Sequence, residues 1–596
     1  MTANNNVGTA SGNANADFFI GAASSASVSY YNVPAIYVRQ TAWAVHLGDT
    51  WRATPKLTLA YGLRWDMETP TREKYNHASF FDPTLPNPNA GGLLGAMAFA
   101  SSRRPYPEHV DYAGLAPRLG VAYAFKQNTV IRAGYGIFFG QAFYPGWNGG
   151  NSLDGYNINS AIQPGGLTGG GQLIPAMCLS PGNAFCVVGS NGYPTPASLA
   201  SNLSPGIDNG LDPLYRPFNA NQRGRAQQWN LTIERQLPWK TVVSAGYVGA
   251  HGTHLLSALQ PLNVLNPNNP LVIANGANLQ DSWDPSSGVP EPYPGWSSSV
   301  SCATVGQALL PYPQYCSSLA GLNENVGNSI YHSFQARVEK RLDHGIYMLL
   351  SYTNSKTIED ASSNTQTQAV TWNGQNGVIS PYQRYRARTL ASDDVPQVVS
   401  AAFVYDLPFG HNKRFLNKSG ALDRVVGGWQ VSPIFRYSRG IPFFFRDNGV
   451  CKSYVGGCIP GVIPGVNPFL QNPNNFDPFK GPLLNINAFE PYSSFDKPGY
   501  SGYGRRVSNL RGPNFKDLDF SLTKNTRITE RVNFKFSLNF FNAFNAHYFV
   551  NDESQNFGGD TAFNTDISNP SDAPFGTWNG AVSQPRTIQA AGRIEF

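Results

Sequence analysis

The chain has 596 residues, of which 13% are charged and 13% aromatic, with 60 Gly, 45 Pro and only five Met. So many chain-punctuating residues exclude a helix-rich protein, and aromatic side chains suit pleated surfaces. The net charge of +6, from 43 basic and 37 acidic residues, is spread along the chain without a basic stripe, so no nucleic-acid partner is expected.

Met1 to Ala16 is rich in Asn, Gly, Ala and Thr, with neither a basic n-region nor an apolar core, and so is not a signal peptide. Residues 1–35 read as a leader or an extracellular-side loop, and residues 36–596 as one β-rich unit. No apolar run reaches the roughly 18 residues of a transmembrane helix, which leaves strands as the only membrane-crossing element.

From Ile36 the sequence alternates with period two. Trp43, Val45 and Leu47 share one face, a turn falls at Ala53, Thr54 and Pro55, and Leu57, Leu59, Tyr61, Leu63 and Trp65 return. A second pair holds Leu119 to Phe125 and Ile131 to Phe139 around Lys126-Gln127-Asn128. Trp229 to Ile233 and Val243 to Tyr247 flank Pro238-Trp239-Lys240, and Phe334 to Val338 and Met348 to Tyr352 flank Asp343-His344-Gly345. A fifth pair, Val399 to Leu407 and Trp429 to Tyr437, has a longer connection through Phe409 to Gly428. Leu518, Phe520 and Leu522 then pair with Val532 to Phe540, and Ile588 to Phe596 form a last strand. Six hairpins and one terminal strand make thirteen strands.

One set of connections is short and the other runs to loops such as Glu68 to Leu115 and Gly140 to Arg225, read as structureless. Outer-membrane barrels have this asymmetry, with short periplasmic turns and long extracellular loops. The six cysteines form close pairs on the long-loop side: Cys178 with Cys186, Cys302 with Cys316, and Cys451 with Cys458. Local disulfides in an oxidising compartment are expected, with six unrelated thiols as the alternative. The fold class is therefore all-β, a transmembrane antiparallel barrel portion with long extracellular loops. A barrel whose chain begins and ends in the periplasm needs an even strand count, so thirteen strands read as the back part of a larger barrel.

Trp51 to Trp65 (WRATPKLTLAYGLRW), Ala116 to Phe125 (APRLGVAYAF), Tyr352 to Asp360 (YTNSKTIED), Asp394 to Gly410 (DVPQVVSAAFVYDLPFG), Leu510 to Leu522 (LRGPNFKDLDFSL) and Phe540 to Phe549 (FFNAFNAHYF) follow one another along the chain. Together they resemble the TonB-dependent outer-membrane receptors, specifically the Oar-like branch. The resemblance implies a barrel of about twenty-two strands, filled by an N-terminal plug and energised through a TonB-contacting segment. It implies that this chain supplies the C-terminal strands only, so that TonB is a partner only where the plug is present. It also implies that Phe596, with Ile594 in its lead-in, is the signal read by the barrel-assembly machinery; a lipid-facing residue of the last strand is the plainer reading. Outer-membrane lipid and an unidentified extracellular substrate are the remaining expected partners.

Other chemistry is sparse. His251 and His254 have metal-like spacing but no adjacent carboxylate, and read as exposed turn residues. Asp517 and Asp519 point one way from a strand and read as lumen-facing polar groups. Gly502-Tyr503-Gly504 lacks the lysine and the strand-to-helix context of a phosphate loop. No enzyme and no cofactor are expected. Tyr144, Trp147, Trp283 and Trp296, with Tyr106 and Tyr293, lie in Pro/Gly-rich loop segments and are either ligand contacts or loop packing. The expected function is import of a substrate across the outer membrane. An adhesive or structural outer-membrane protein, and a secreted carbohydrate-binding protein, are the alternatives.

Overall fold

A computed structural model describes residues 19, 22–23, 26–141, 144, 148–162, 177–178, 200–257, 261–266, 268–322, 324–360, 381–391, 393–417, 420–443, 462–489, 510–529, 531–549, 563–564, 574–580 and 582–596. The period-two segments become thirteen long strands. They are β1 (Ala42–Thr54), β2 (Leu57–Glu68), β3 (Asp111–Lys126), β4 (Thr129–Phe139), β5 (Arg225–Leu237), β6 (Thr241–Ser257) and β7 (Glu324–Asp343). They continue with β8 (Ile346–Glu359), β9 (Gln397–Asp406), β10 (Trp429–Ser438), β11 (Phe515–Arg527), β12 (Asn533–Phe541) and β13 (Thr587–Glu595). Each pairs antiparallel with its sequence neighbour, and the short strand Thr389–Leu390 adds to β8, making a 14-stranded sheet.

The register aligns the apolar residues of successive strands. Leu59, Val121, Ala133, Leu231, Tyr247 and Phe334 form one cross-strand row. One residue over, Thr58, Ala122, Arg132, Thr232, Gly246, Gln335 and Thr353 form a row on the other face. Because strand side chains alternate, a one-residue slip would exchange the two faces, so burial of one of them fixes the register. Gly249 is needed beneath Trp229, since a Cβ there would lie 2.4 Å from the indole.

On the apolar face, large side chains stand bare, with Leu47 81% exposed and Trp43, Val45, Leu119 and Ile233 also open. So wide an uncovered apolar surface suits contact with hydrocarbon rather than water. β1 and β13 end the strand order and do not pair with each other, so the sheet is open. Both run the same way, so joining them directly would make a parallel pair, unlike every other pair in the sheet.

Two details of the sequence reading change. The first turn is Pro55-Lys56, because β1 continues through Ala53 and Thr54 past an irregular register after Trp51. β3 begins at Asp111 rather than near Leu115, continuing the ladder above the barrel wall.

The larger correction concerns the long connections, which are not structureless. Between β2 and β3 a hairpin forms from Ser79–Pro86 and Leu94–Phe99. Its Phe81 and Met97 pack with Tyr315 and Leu319 from the connection between β6 and β7. Further buried clusters centre on Trp296 and Val300, and on Leu265, Val272 and Leu279. A separate core, with Phe443, Leu483, Phe489, Leu510, Phe563 and Phe575, joins the β10–β11 and β12–β13 connections. Residues 26–30 pair with Ile158–Ile162, which ties part of the 1–35 segment to this loop layer.

Candidate ligand-facing end of the barrel

The loop layer rests on buried arginines. Arg216 lies in a segment whose Tyr215 bridges to Gly321, holding it between two long connections. Its Nε donates to Glu108 Oε1 at 2.6 Å and its Nη2 to Glu108 Oε2 at 2.9 Å. Nη1 donates to Asn151 Oδ1 at 2.8 Å and Nη2 to the Thr71 carbonyl at 3.0 Å. One guanidinium therefore joins the β2–β3 connection, through Thr71 and Glu108, to the β4–β5 connection. Burial pushes the Glu108 carboxyl up while Arg216 opposes it. The Tyr144 phenol, whose ring centre is 5.2 Å from the guanidinium carbon, is pushed far up by burial and then by Glu108.

Two neighbours dock this layer on the strands. Arg223 donates through Nη2 to the Asp66 carbonyl at 2.7 Å and lies over the Phe139 ring. Asn221 Nδ2 donates to the Glu68 carbonyl at 2.8 Å. On the far side Arg511 Nη1 donates to the Asp394 carbonyl at 2.7 Å, and Asp394 Oδ1 accepts from the Thr357 amide at 2.6 Å. Saturated in this way, Arg216 and Arg511 serve to position loops. Sequence reasoning missed them, since a single arginine in a Pro/Gly-rich loop carries no periodic signal.

Asp208 departs from this satisfied pattern, as do the Arg223 Nε and the Gln314 Oε1, which are also buried without a hydrogen-bond partner. Asp208 is only 6% exposed, and its Oδ2 has no hydrogen-bond partner. Burial first, and Asp154 second, push it up to about 7.

The residues singled out in the sequence are distributed as follows. Cys302 is bonded to Cys316, and both flank the Trp296 cluster. Trp147, Cys186, Cys451 and Cys458 lie outside the described residues, and of Cys178 only the backbone is described, paired with Ala22. Trp296 has no exposed surface and donates from Nε1 to the Pro313 carbonyl at 2.8 Å, with the half-buried Trp283 ring edge-on at 6.0 Å. In this conformation Trp296 offers a ligand nothing. Tyr144 is likewise held against Arg216, and Tyr293 is buried. Ile594 pairs with Phe534, and Phe596 is 97% exposed beyond the end of β13. His251 and His254 are half-buried residues of β6 rather than exposed turn residues, His251 facing Gln227 and Ile330 across the ladder, and Asp517 faces Arg436. The exposed aromatic groups of the loop layer are others, including Tyr37 and Tyr75, with Lys74 Nζ 4.4 Å from the Tyr75 ring centre.

No curated protein matches the chain in sequence. Among solved structures, the chain is similar to the pyoverdine outer-membrane receptor FpvA from Pseudomonas aeruginosa, at 9% identity and TM-score 0.35, covering 94% of this chain and 43% of that one. The ferric-catecholate import receptor Fiu from Escherichia coli gives 9% identity and TM-score 0.35, over 94% and 45%. The outer-membrane transporter YddB from Escherichia coli gives 9% and 0.35, over 94% and 54%. The chain thus spans between about two fifths and somewhat over half of these proteins' lengths. Residues 1–589 match the family model of the outer membrane beta barrel domain. The chain belongs to that family, and its place is the bacterial outer membrane.

Proposed function

We propose that this chain is the barrel portion of a TonB-dependent receptor, which takes a substrate from outside the cell with its long loops and passes it across the outer membrane. The observation that carries the reading is the pairing of a polar, small-residue inner face with a folded loop layer at one end of the sheet. The ordered segments from Trp51 to Phe549 that resemble the Oar-like branch support it. Import in this reading requires a plug and a TonB contact, and the barrel is completed to about twenty-two strands. Phe596 and Ile594 serve as the assembly signal. Exposed loop aromatics such as Tyr37 and Tyr75 meet the substrate, for rigid amphipathic rings give contact area at small entropic cost. Trp147 is kept as a further candidate contact, and no catalytic step is assigned.

The test is a deletion of the gene, compared with a TonB deletion, for uptake of labelled peptides and oligosaccharides by whole cells. Equal loss of the same uptake in both strains supports import. Unchanged uptake together with lost attachment to a surface or partner cell would replace it with the adhesive reading.

A further inference from the structure

At the short-turn end, five of the six connections between hairpin strands are tight, while the described residues 407–417 and 420–428 between β9 and β10 form a folded strap. Phe409 bridges to Phe415, with ring centres 5.9 Å apart, and a short helix, α1 (Ala421–Val426), completes the strap. The strap is closed tightly. Asp423 accepts from the His411 amide, and a Cβ on Gly410, whose φ is +106°, would lie 2.5 Å from the Gly427 Cα. In this compact form it leaves Phe415, Leu416 and Val425 exposed beside exposed Lys413, Arg414 and Arg424. Its sequence holds four basic residues, Lys413, Arg414, Lys418 and Arg424, against the single acidic Asp423.

Two strand residues fix which face the strap extends. Trp429 shares the apolar face of β10 with Val431 and Phe435, and Lys524 shares that of β11 with Leu522 and Phe520. The Trp429 Nε1 donates to the Val425 carbonyl at 3.0 Å. Lys524 Nζ bonds the Gly427 carbonyl and lies 5.4 Å from the Trp429 ring centre. The strap is thus continuous with the lipid-facing wall, at the level where that wall ends.

From this we infer that the strap, with Trp429 and Lys524, is a docking surface for anionic phospholipid headgroups of the periplasmic leaflet. Short turns mark the periplasmic end of an outer-membrane barrel. Aromatic and basic side chains at the edge of a hydrocarbon-facing band meet the conditions for headgroup contact: rings at the interface, and cations over a negatively charged surface. A periplasmic protein would not need the surface to be continuous with the lipid-facing wall.

Native mass spectrometry of the full chain, refolded in detergent doped with phosphatidylglycerol or phosphatidylcholine, tests this. Preferential retention of phosphatidylglycerol is expected. It should fall by at least on the order of a hundredfold in Lys413→Glu/Arg414→Glu/Arg424→Glu, since the three lost cations count about fivefold each and the three added carboxylates repel the headgroup further. The milder Lys413→Gln/Arg414→Gln guards against a folding defect and should lose an intermediate amount, while Arg52→Glu on the β1 side of the same end should leave retention unchanged. Equal retention of the two lipids, equal loss with Arg52→Glu, or a strap that captures a periplasmic protein while ignoring phosphatidylglycerol would overturn the inference.

Discussion

Arg216 and Glu108 meet through two charge-assisted hydrogen bonds, 2.6 and 2.9 Å long, with the two side chains 2% and 0% exposed. They are 108 positions apart in sequence, so the contact closes one long connection against another. A buried pair of this kind gives little net stability over an apolar substitute, but breaking it strands a charge.

Glu108→Gln should therefore loosen the loop layer by about 3–5 kcal/mol while leaving the strands intact. Hydrogen exchange at Thr71 and Asn151 would report the loosening, and unchanged heat-modifiable mobility on gels would report the intact sheet. The double variant Glu108→Leu/Arg216→Met should be less damaging than Glu108→Gln alone. A double variant worse than the single would contradict the assignment of the cost to the stranded guanidinium.

Asp208 sets a pH dependence. Its carboxyl titrates near 7 in the folded loop layer against an ordinary value of 3.8, raised by burial and then by Asp154. The folded form thus holds a proton that the unfolded form releases between those values. The contribution of this group to the stability of the layer is greatest below about pH 4, falls as pH rises toward 7 and is level above, with a slope of up to about 1.4 kcal/mol per pH unit. Asp208→Asn should remove this contribution to the slope and protect the 205–211 turn at pH 8. Parallel pH profiles for variant and parent in exchange-detected opening would rule this out.

The disulfide between Cys302 and Cys316 closes a segment with a sequence separation of 14, so its loss should cost about 3 kcal/mol by the loop-closure relation. Trp296 shares one buried cluster with Ala90 of the hairpin turn, and the cysteine pair packs against that cluster. Cys302→Ala, or reduction of the parent, should expose the 296–316 segment to protease. Digestion at the same rate with and without reductant would contradict a stabilising role.

The strands were legible because burial of one face imposes a period of two, and Leu231, Ile233, Tyr247 and Phe334 obey it with little local irregularity. Pro238-Trp239-Lys240 was legible as a turn, and Trp239 and Lys240 indeed take positive φ. The loop layer was not legible, because its contacts are fixed by chain closure over long separations: nothing near Arg216 in sequence points to Glu108. Trp296 misleads for a related reason, since an aromatic side chain among Pro, Gly and Ser reads as a surface group until its cover, supplied by Pro313 and Val300, is known. The strap was visible only as a longer connection, because Trp429 and Lys524 are brought together by the register of β10 with β11.

The two faces of the sheet should also differ in their tolerance of charge. Leu231→Arg, in the middle of β5, should destabilise the refolded barrel by about 2–4 kcal/mol, the cost of a cation in the hydrocarbon midplane. Gln228→Arg, three residues away on the opposite face, should change stability by less than about 0.5 kcal/mol. Urea unfolding in lipid vesicles measures both, and equal costs would be inconsistent with the assigned faces.

The alternation itself is best examined by placing a nitroxide label singly at residues 228 to 233 of the full chain in lipid vesicles and measuring collision with oxygen and with a polar nickel complex. Oxygen access should peak at 229, 231 and 233 and nickel access at 228, 230 and 232, one face in lipid and the other in water. Access that is uniform along the segment, or that repeats every three to four residues, would contradict a β-barrel wall.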